Sequence, residues 1–92
     1  MFCLVTYDIP DDKRRTKLAK MLKDYGQRVQ YSVFECNMND KLLKSMSERA
    51  WKLLNKDEDS LRIYRLTDLQ KQSVIIIGLG KVIEDDKDTY IV

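Results

Sequence analysis

Apolar residues occupy both alternating positions of the opening run Phe2-Cys3-Leu4-Val5-Thr6-Tyr7, which then ends on the carboxylate of Asp8. A run of this length without clean alternation predicts a strand covered on both faces. Pro10, Asp11 and Asp12 then open a helix. Within it Leu18, Met21, Leu22 and Tyr25 recur at i, i+3, i+4 and i+7 as one apolar stripe, and Gly26 is expected to stop it as a C′ residue. Lys13, Lys17 and Lys20 share the outer face of this helix. Arg14 falls on the apolar side, one turn in, close to where the first strand delivers Asp8. Residues 28–36, rich in β-branched and aromatic side chains, form either one bent strand or two strands joined by a tight turn near Tyr31-Ser32. A second helix starts after Asn39 or Asp40, both good N-caps, with Leu43, Met46, Ala50, Leu53 and Leu54 as its stripe and Leu42 at the edge. Further strands are expected at Ser60 to Leu66 and Ser73 to Ile77, with a short terminal one at Tyr90-Ile91-Val92.

This order predicts a single α+β domain over residues 1–92, a ferredoxin-like β-α-β-β-α-β sandwich with an additional C-terminal strand. Two helices cover one face of the sheet. Residues 2 to 7 and 74 to 77 are nevertheless apolar on both faces, and the chain is too short for a third layer. A homodimer packed sheet to sheet covers the second face, and an extra strand crossing to the partner's sheet edge serves the same end.

Composition narrows the chemistry more than the fold. The 92 residues are 43% hydrophobic and 35% charged, a globular rather than a disordered balance. The longest apolar run, Val74 to Leu79, is too short to span a bilayer, and Met1 leads into a strand without a basic leader, so no membrane association and a cytoplasmic location are expected. Cys3 and Cys36 lack C-x-x-C spacing and read as buried, inert thiols. Histidine is absent, which removes the commonest general base, the Ser-His and Cys-His pairs and imidazole metal sites. Chemistry must therefore come from carboxylates, Lys, Tyr or a bound metal. Net charge is only +2, yet residues 13 to 28 gather Lys13, Arg14, Arg15, Lys17, Lys20, Lys23 and Arg28 against Asp24 alone. One basic lobe on a near-neutral protein suggests a polyanionic partner.

Asp8 admits two readings. It caps the following helix, with Asp8-x-x-Asp11 as a capping box in which Asp replaces Glu. Alternatively it binds a hard divalent cation, Mg²⁺ or Mn²⁺ in its place. One carboxylate holds such an ion poorly, whereas two copies of Asp8 facing each other across a two-fold axis suffice. A metal there polarises a phosphodiester and acidifies a bound water without histidine, while the surrounding cations hold phosphates. Tyr7, Tyr31 and Phe34, near the same end of the sheet, are either core and interface aromatics or stacking partners for bases.

The succession YDI-x-DDKRR, YG-x-RVQ-x-SVFE and DSLRIY resembles the family of CRISPR-associated protein two, over Phe2 to about Leu66. The resemblance implies a ferredoxin-like homodimer that acts as a metal-dependent endonuclease on single-stranded RNA or double-stranded DNA. It also implies a role beside the CRISPR integrase subunit in spacer acquisition. By the same resemblance Asp8 is the metal-binding and catalytic aspartate, accompanied by Tyr7. Arg15 and Arg28 contact nucleic acid, as do Phe34 of the SVF segment and Lys17, which stands where the family often has arginine and so lacks bidentate phosphate recognition. Arg14 joins them as part of the basic helix. The rival function is a non-catalytic scaffold: a dimer that grips duplex DNA through two basic surfaces and bridges integrase subunits.

Overall fold

The opening apolar run becomes β1 (Phe2–Asp8) in a computed structural model that describes residues 1–80. It is followed by α1 (Asp12–Leu22), β2 (Gly26–Gln30), β3 (Val33–Asn37), α2 (Asp40–Leu53), β4 (Ser60–Leu66) and α3 (Asp68–Gln72). The sheet order is β2-β3-β1-β4, antiparallel throughout, so β1 and β3 are internal and β2 and β4 form the edges. This is the expected β-α-β-β-α-β core, and the 28–36 segment resolves into two strands around a Tyr31-Ser32 turn.

Alternation along β1 settles which residues meet the helices. Cys3, Val5 and Tyr7 lie in register with Phe34 and Cys36 of β3 and with Leu61 and Ile63 of β4. These pack with Leu18, Ala19, Met21 and Leu22 of α1 and Met46 and Ala50 of α2 into one core. Leu4 and Thr6 lie on the opposite face with Val33, Glu35, Arg62 and Tyr64, and neither is fully buried. Within one chain α3 (Asp68–Gln72) covers only the Phe2 end of that second face, and Leu4, Thr6 and Asp8 further along it are left partly or fully exposed. Cys3 and Cys36 are cross-strand neighbours, buried and unbridged, and burial pushes the Cys36 thiol up to about 11, so both are unreactive near neutral pH.

Three sequence expectations change. Gly26 is not a left-handed helix stop, since among the described residues only Gly78 and Gly80 have positive φ. The helix closes at Lys23, Tyr25 lies beyond it, and Gly26 opens β2 against Cys36. The strand expected at Ser73 to Ile77 does not form. Ser73 caps α3 and the residues after it join no sheet, with Ile75 and Ile77 81% and 95% exposed. A strand exists only against a partner that takes its backbone hydrogen bonds, and neither sheet edge of the same chain does so. The additional C-terminal strand is therefore missing among the described residues, and the terminal one expected at Tyr90-Ile91-Val92 lies outside them. The unforeseen element is α3. Its signal was the capping box Thr67-x-x-Gln70, whose two hydrogen bonds are both present. The helix lays the buried Lys71 over the Phe2 ring at 5.3 Å.

Candidate active site and nucleic-acid interface

Asp8 is the last residue of β1 and pairs in register with Ser60 of β4. The two-residue period puts it on the second face with Leu4 and Thr6, while Tyr7 points into the helix side. The two candidate catalytic residues thus leave the strand in opposite directions. The capping reading of Asp8 fails: Asp11 is the N-cap, accepting from the Arg14 amide at 2.9 Å. Asp8 is exposed and makes no ion pair among the described residues. Those residues also contain no group of three or more acidic, Cys or His side chains suited to a metal. A hard cation that keeps most of its waters asks for one or two carboxylates. One chain brings one, and two chains opposed on the second face bring two. The donor set fits Mg²⁺ only on those terms.

The arginines divide sharply. Arg14, expected on phosphate, is held by Asp59: Nε donates to Oδ2 at 2.8 Å and Nη2 to Oδ1 at 3.1 Å. The Asp59 side chain is fully buried and also accepts from the Asn55 amide. This explains an arginine on the apolar side of α1, since it ties the helix start to the segment leading into Ser60, the register partner of Asp8. Asp59 was missed in the sequence, where only the unusual placement of Arg14 hinted that a buried acid must face it. Arg15 donates from Nη1 to the carbonyls of Ile9 (2.9 Å) and Pro10 (3.5 Å) and pairs with Asp12, fixing the turn that follows Asp8.

The Arg14 hydrogen bonds, aided by the Asn55 amide and the Arg14 charge, hold the Asp59 carboxyl below its ordinary value despite burial. A carboxyl with a depressed folded pKa stabilises the fold fully above its unfolded value, about 3.9, and loses that contribution as pH falls through the folded value. Asp59→Asn lacks it at every pH. The difference in melting temperature between wild type and this variant should therefore be largest near pH 7 and shrink below pH 4. A gap that persists unchanged to pH 2 would remove the charge from the explanation.

On the helix side of the sheet, α1 and the β2–β3 hairpin enclose a groove of about 570 Å³ lined by Arg15, Thr16, Ala19, Lys20, Lys23, Arg28 and Tyr31. The lining of α1 repeats at 16, 19, 20 and 23, a helical face readable in the sequence but obscured there by the outer lysines. Lys17 lies on that outer, exposed face and does not line the groove. Arg28 is built in from below. Its guanidinium lies 5.5 Å from the centre of the buried Phe34 ring and 6.0 Å from that of Tyr31, and Nη2 reaches the Tyr7 hydroxyl at 3.5 Å. Tyr7 packs on Phe34 at 6.3 Å and donates to the Tyr31 carbonyl at 3.3 Å. Tyr7 and Phe34 therefore seat Arg28 and the hairpin turn, and Phe34, wholly buried, offers no surface to a base.

Comparison with known proteins gives a consistent result. The sequence model of CRISPR associated protein Cas2 matches residues 1–74. The chain is 49% identical over 80 residues to the CRISPR-associated endonuclease Cas2 2 of Thermus thermophilus, covering 87% of this chain and 84% of that one. It is 43% identical over the full length of both to the CRISPR-associated endoribonuclease Cas2 1 of Chloroflexus aurantiacus. Its fold superposes with a TM-score of 0.65 on a chain of a partial Cas6-RT-Cas1–Cas2 complex, at 31% identity, covering 83% of this chain and 89% of that one.

Proposed function

The chain belongs to the Cas2 family of CRISPR-associated proteins, whose curated relatives are named endonucleases and endoribonucleases, and from that premise we propose that it is a Mg²⁺-assisted phosphodiesterase working as a homodimer. One observation carries the reading: capping of α1 falls to Asp11, which leaves Asp8 as an exposed acid on the second face. Two copies of Asp8 would hold the ion, which when bound polarises the scissile phosphate and acidifies an attacking water. The chain's own part is positional. Arg15 fixes the turn after Asp8, and Lys20, Lys23 and Arg28 bind backbone phosphates in the groove. Tyr7 and Phe34 orient Arg28.

What supports the dimer is apolar surface that a lone chain leaves wet: Tyr64 on the second face, and the exposed Ile75, Ile77 and Leu79. A segment rich in apolar side chains that joins no sheet of its own chain supplies what a partner's sheet edge requires. The substrate is RNA or DNA and the working compartment the cytoplasm. Among the described residues, no helix is long and apolar enough to cross a membrane.

A second role is supported by the likeness to a chain of a Cas1-containing complex. In it the dimer bridges integrase subunits on double-stranded DNA during spacer acquisition, and cutting is secondary. Metal removal separates the two. Cleavage of short oligonucleotides should require added Mg²⁺ and stop with EDTA. Binding in EDTA should persist and weaken with salt, at a log–log slope of roughly −0.7 to −0.9 per phosphate neutralised. Cleavage that survives EDTA overturns the metal mechanism, and binding without any cleavage leaves the scaffold alone.

A further inference from the structure

We propose that Tyr31 is a stacking platform for an unpaired nucleobase, so that the groove between α1 and the β2–β3 hairpin takes single-stranded nucleic acid in preference to a closed duplex. This rests on the nucleic-acid reading above and adds the strand state of the substrate. Tyr31 sits in the turn between β2 and β3 and is 73% exposed, an unusual situation for a ring of that size. The turn that carries it is preset rather than loose. The Tyr31 carbonyl accepts from the Tyr7 hydroxyl at 3.3 Å, and the carbonyl of the next residue, Ser32, accepts from the Tyr7 amide at 3.2 Å.

The surroundings supply the rest of a nucleotide site. Arg28 lies 6.0 Å from the ring centre, and Lys20, Lys23 and Arg15 continue along the groove as phosphate partners. Arg15, on the α1 side, lines the same groove that Tyr31 closes from the hairpin side. Bases within a duplex bury their faces against one another, and an exposed aromatic can stack only on a base that is unpaired or terminal. Cations without the ring would hold any polyanion equally. The ring makes the groove selective.

The experiment uses the full-length chain carrying Asp8→Asn, in EDTA, so that nothing is cut. Anisotropy is measured on oligo-dT, oligo-rU, an abasic oligomer of equal length and a closed hairpin duplex. Tyr31→Leu should weaken binding to at least one of the two unmodified single strands by about tenfold, and the dT and rU arms report which sugar is taken. Affinity for the abasic strand and the duplex should stay within about twofold, and Tyr31→Phe should restore the single-strand affinity. Equal losses on all four probes, no loss on any, or a change in oligomeric state with Tyr31→Leu overturns the platform. If the wild-type chain fails to cleave while this selectivity holds, the nuclease reading fails and the platform stands.

Discussion

Asp8→Asn should abolish divalent-dependent cleavage while the dimer and its EDTA-resistant binding of oligonucleotides remain. The substitution is isosteric and lies on an exposed carboxylate that neither caps α1 nor joins an ion pair among the described residues, so the fold has little to lose. The reaction has a great deal to lose. Removing even an outer partner of a metal site costs 10–100-fold, and a direct carboxylate ligand should cost at least about 100-fold in kcat/KM. Mixed dimers carrying one substituted subunit sharpen the result. If the two carboxylates share one ion, a single substitution silences the whole dimer. If each chain works alone, half of the activity survives. Purified Asp8→Asn cleaving at the wild-type rate removes Asp8 from the chemistry and leaves the scaffold role.

The same stretch shows what a sequence discloses and what it withholds. β1, α1, α2 and β4 were legible because each has its own periodicity or cap, and those are local. The exposed acid at the end of β1 was legible too, but not its freedom from capping. Asp8 and Asp11 are both acids just ahead of a helix, and only the position of the first helical turn decides between them. Arg14 was counted among the phosphate-binding cations because charge is visible in a sequence and its partner is not. Asp59 lies 45 positions away and meets Arg14 only once α1 and β4 are packed. The basic groove was half visible for a related reason: the helix supplies one wall, and the hairpin that brings Arg28 and Tyr31 opposite it is a long-range pairing. The strand expected at Ser73 to Ile77 shows the reverse error. Its residues have every strand preference, but preference is satisfied only by an edge, and the chain's own edges do not take it.

The largest stability effect should come from Gly26→Ala. Gly26 faces Cys36 across the β2–β3 pair, and a Cβ there would fall 2.2 Å from the Glu35 carbonyl oxygen, 2.6 Å from Cys36 Sγ and 2.7 Å from Cys36 Cα. Two of these three are backbone atoms of an internal strand whose Phe34 and Cys36 are fully buried, so neither can swing aside. β2 must peel away from β3, at about 3 kcal/mol, which for a domain of this size lowers the melting midpoint by roughly 12–24 °C at fixed protein concentration. Peeling β2 also carries Arg28 and Tyr31 out of the groove, so binding should fall with stability. Two further variants tell this cause from a helix stop. Cys36→Ala removes the sulfur but not the carbonyl contact, so adding it to Gly26→Ala should recover little. A left-handed C′ glycine tolerates asparagine, whereas Gly26→Asn puts the same Cβ into the same carbonyl and should melt at least as low as Gly26→Ala. Were Gly26→Asn to melt near wild type, the close strand contact would not be what demands glycine here.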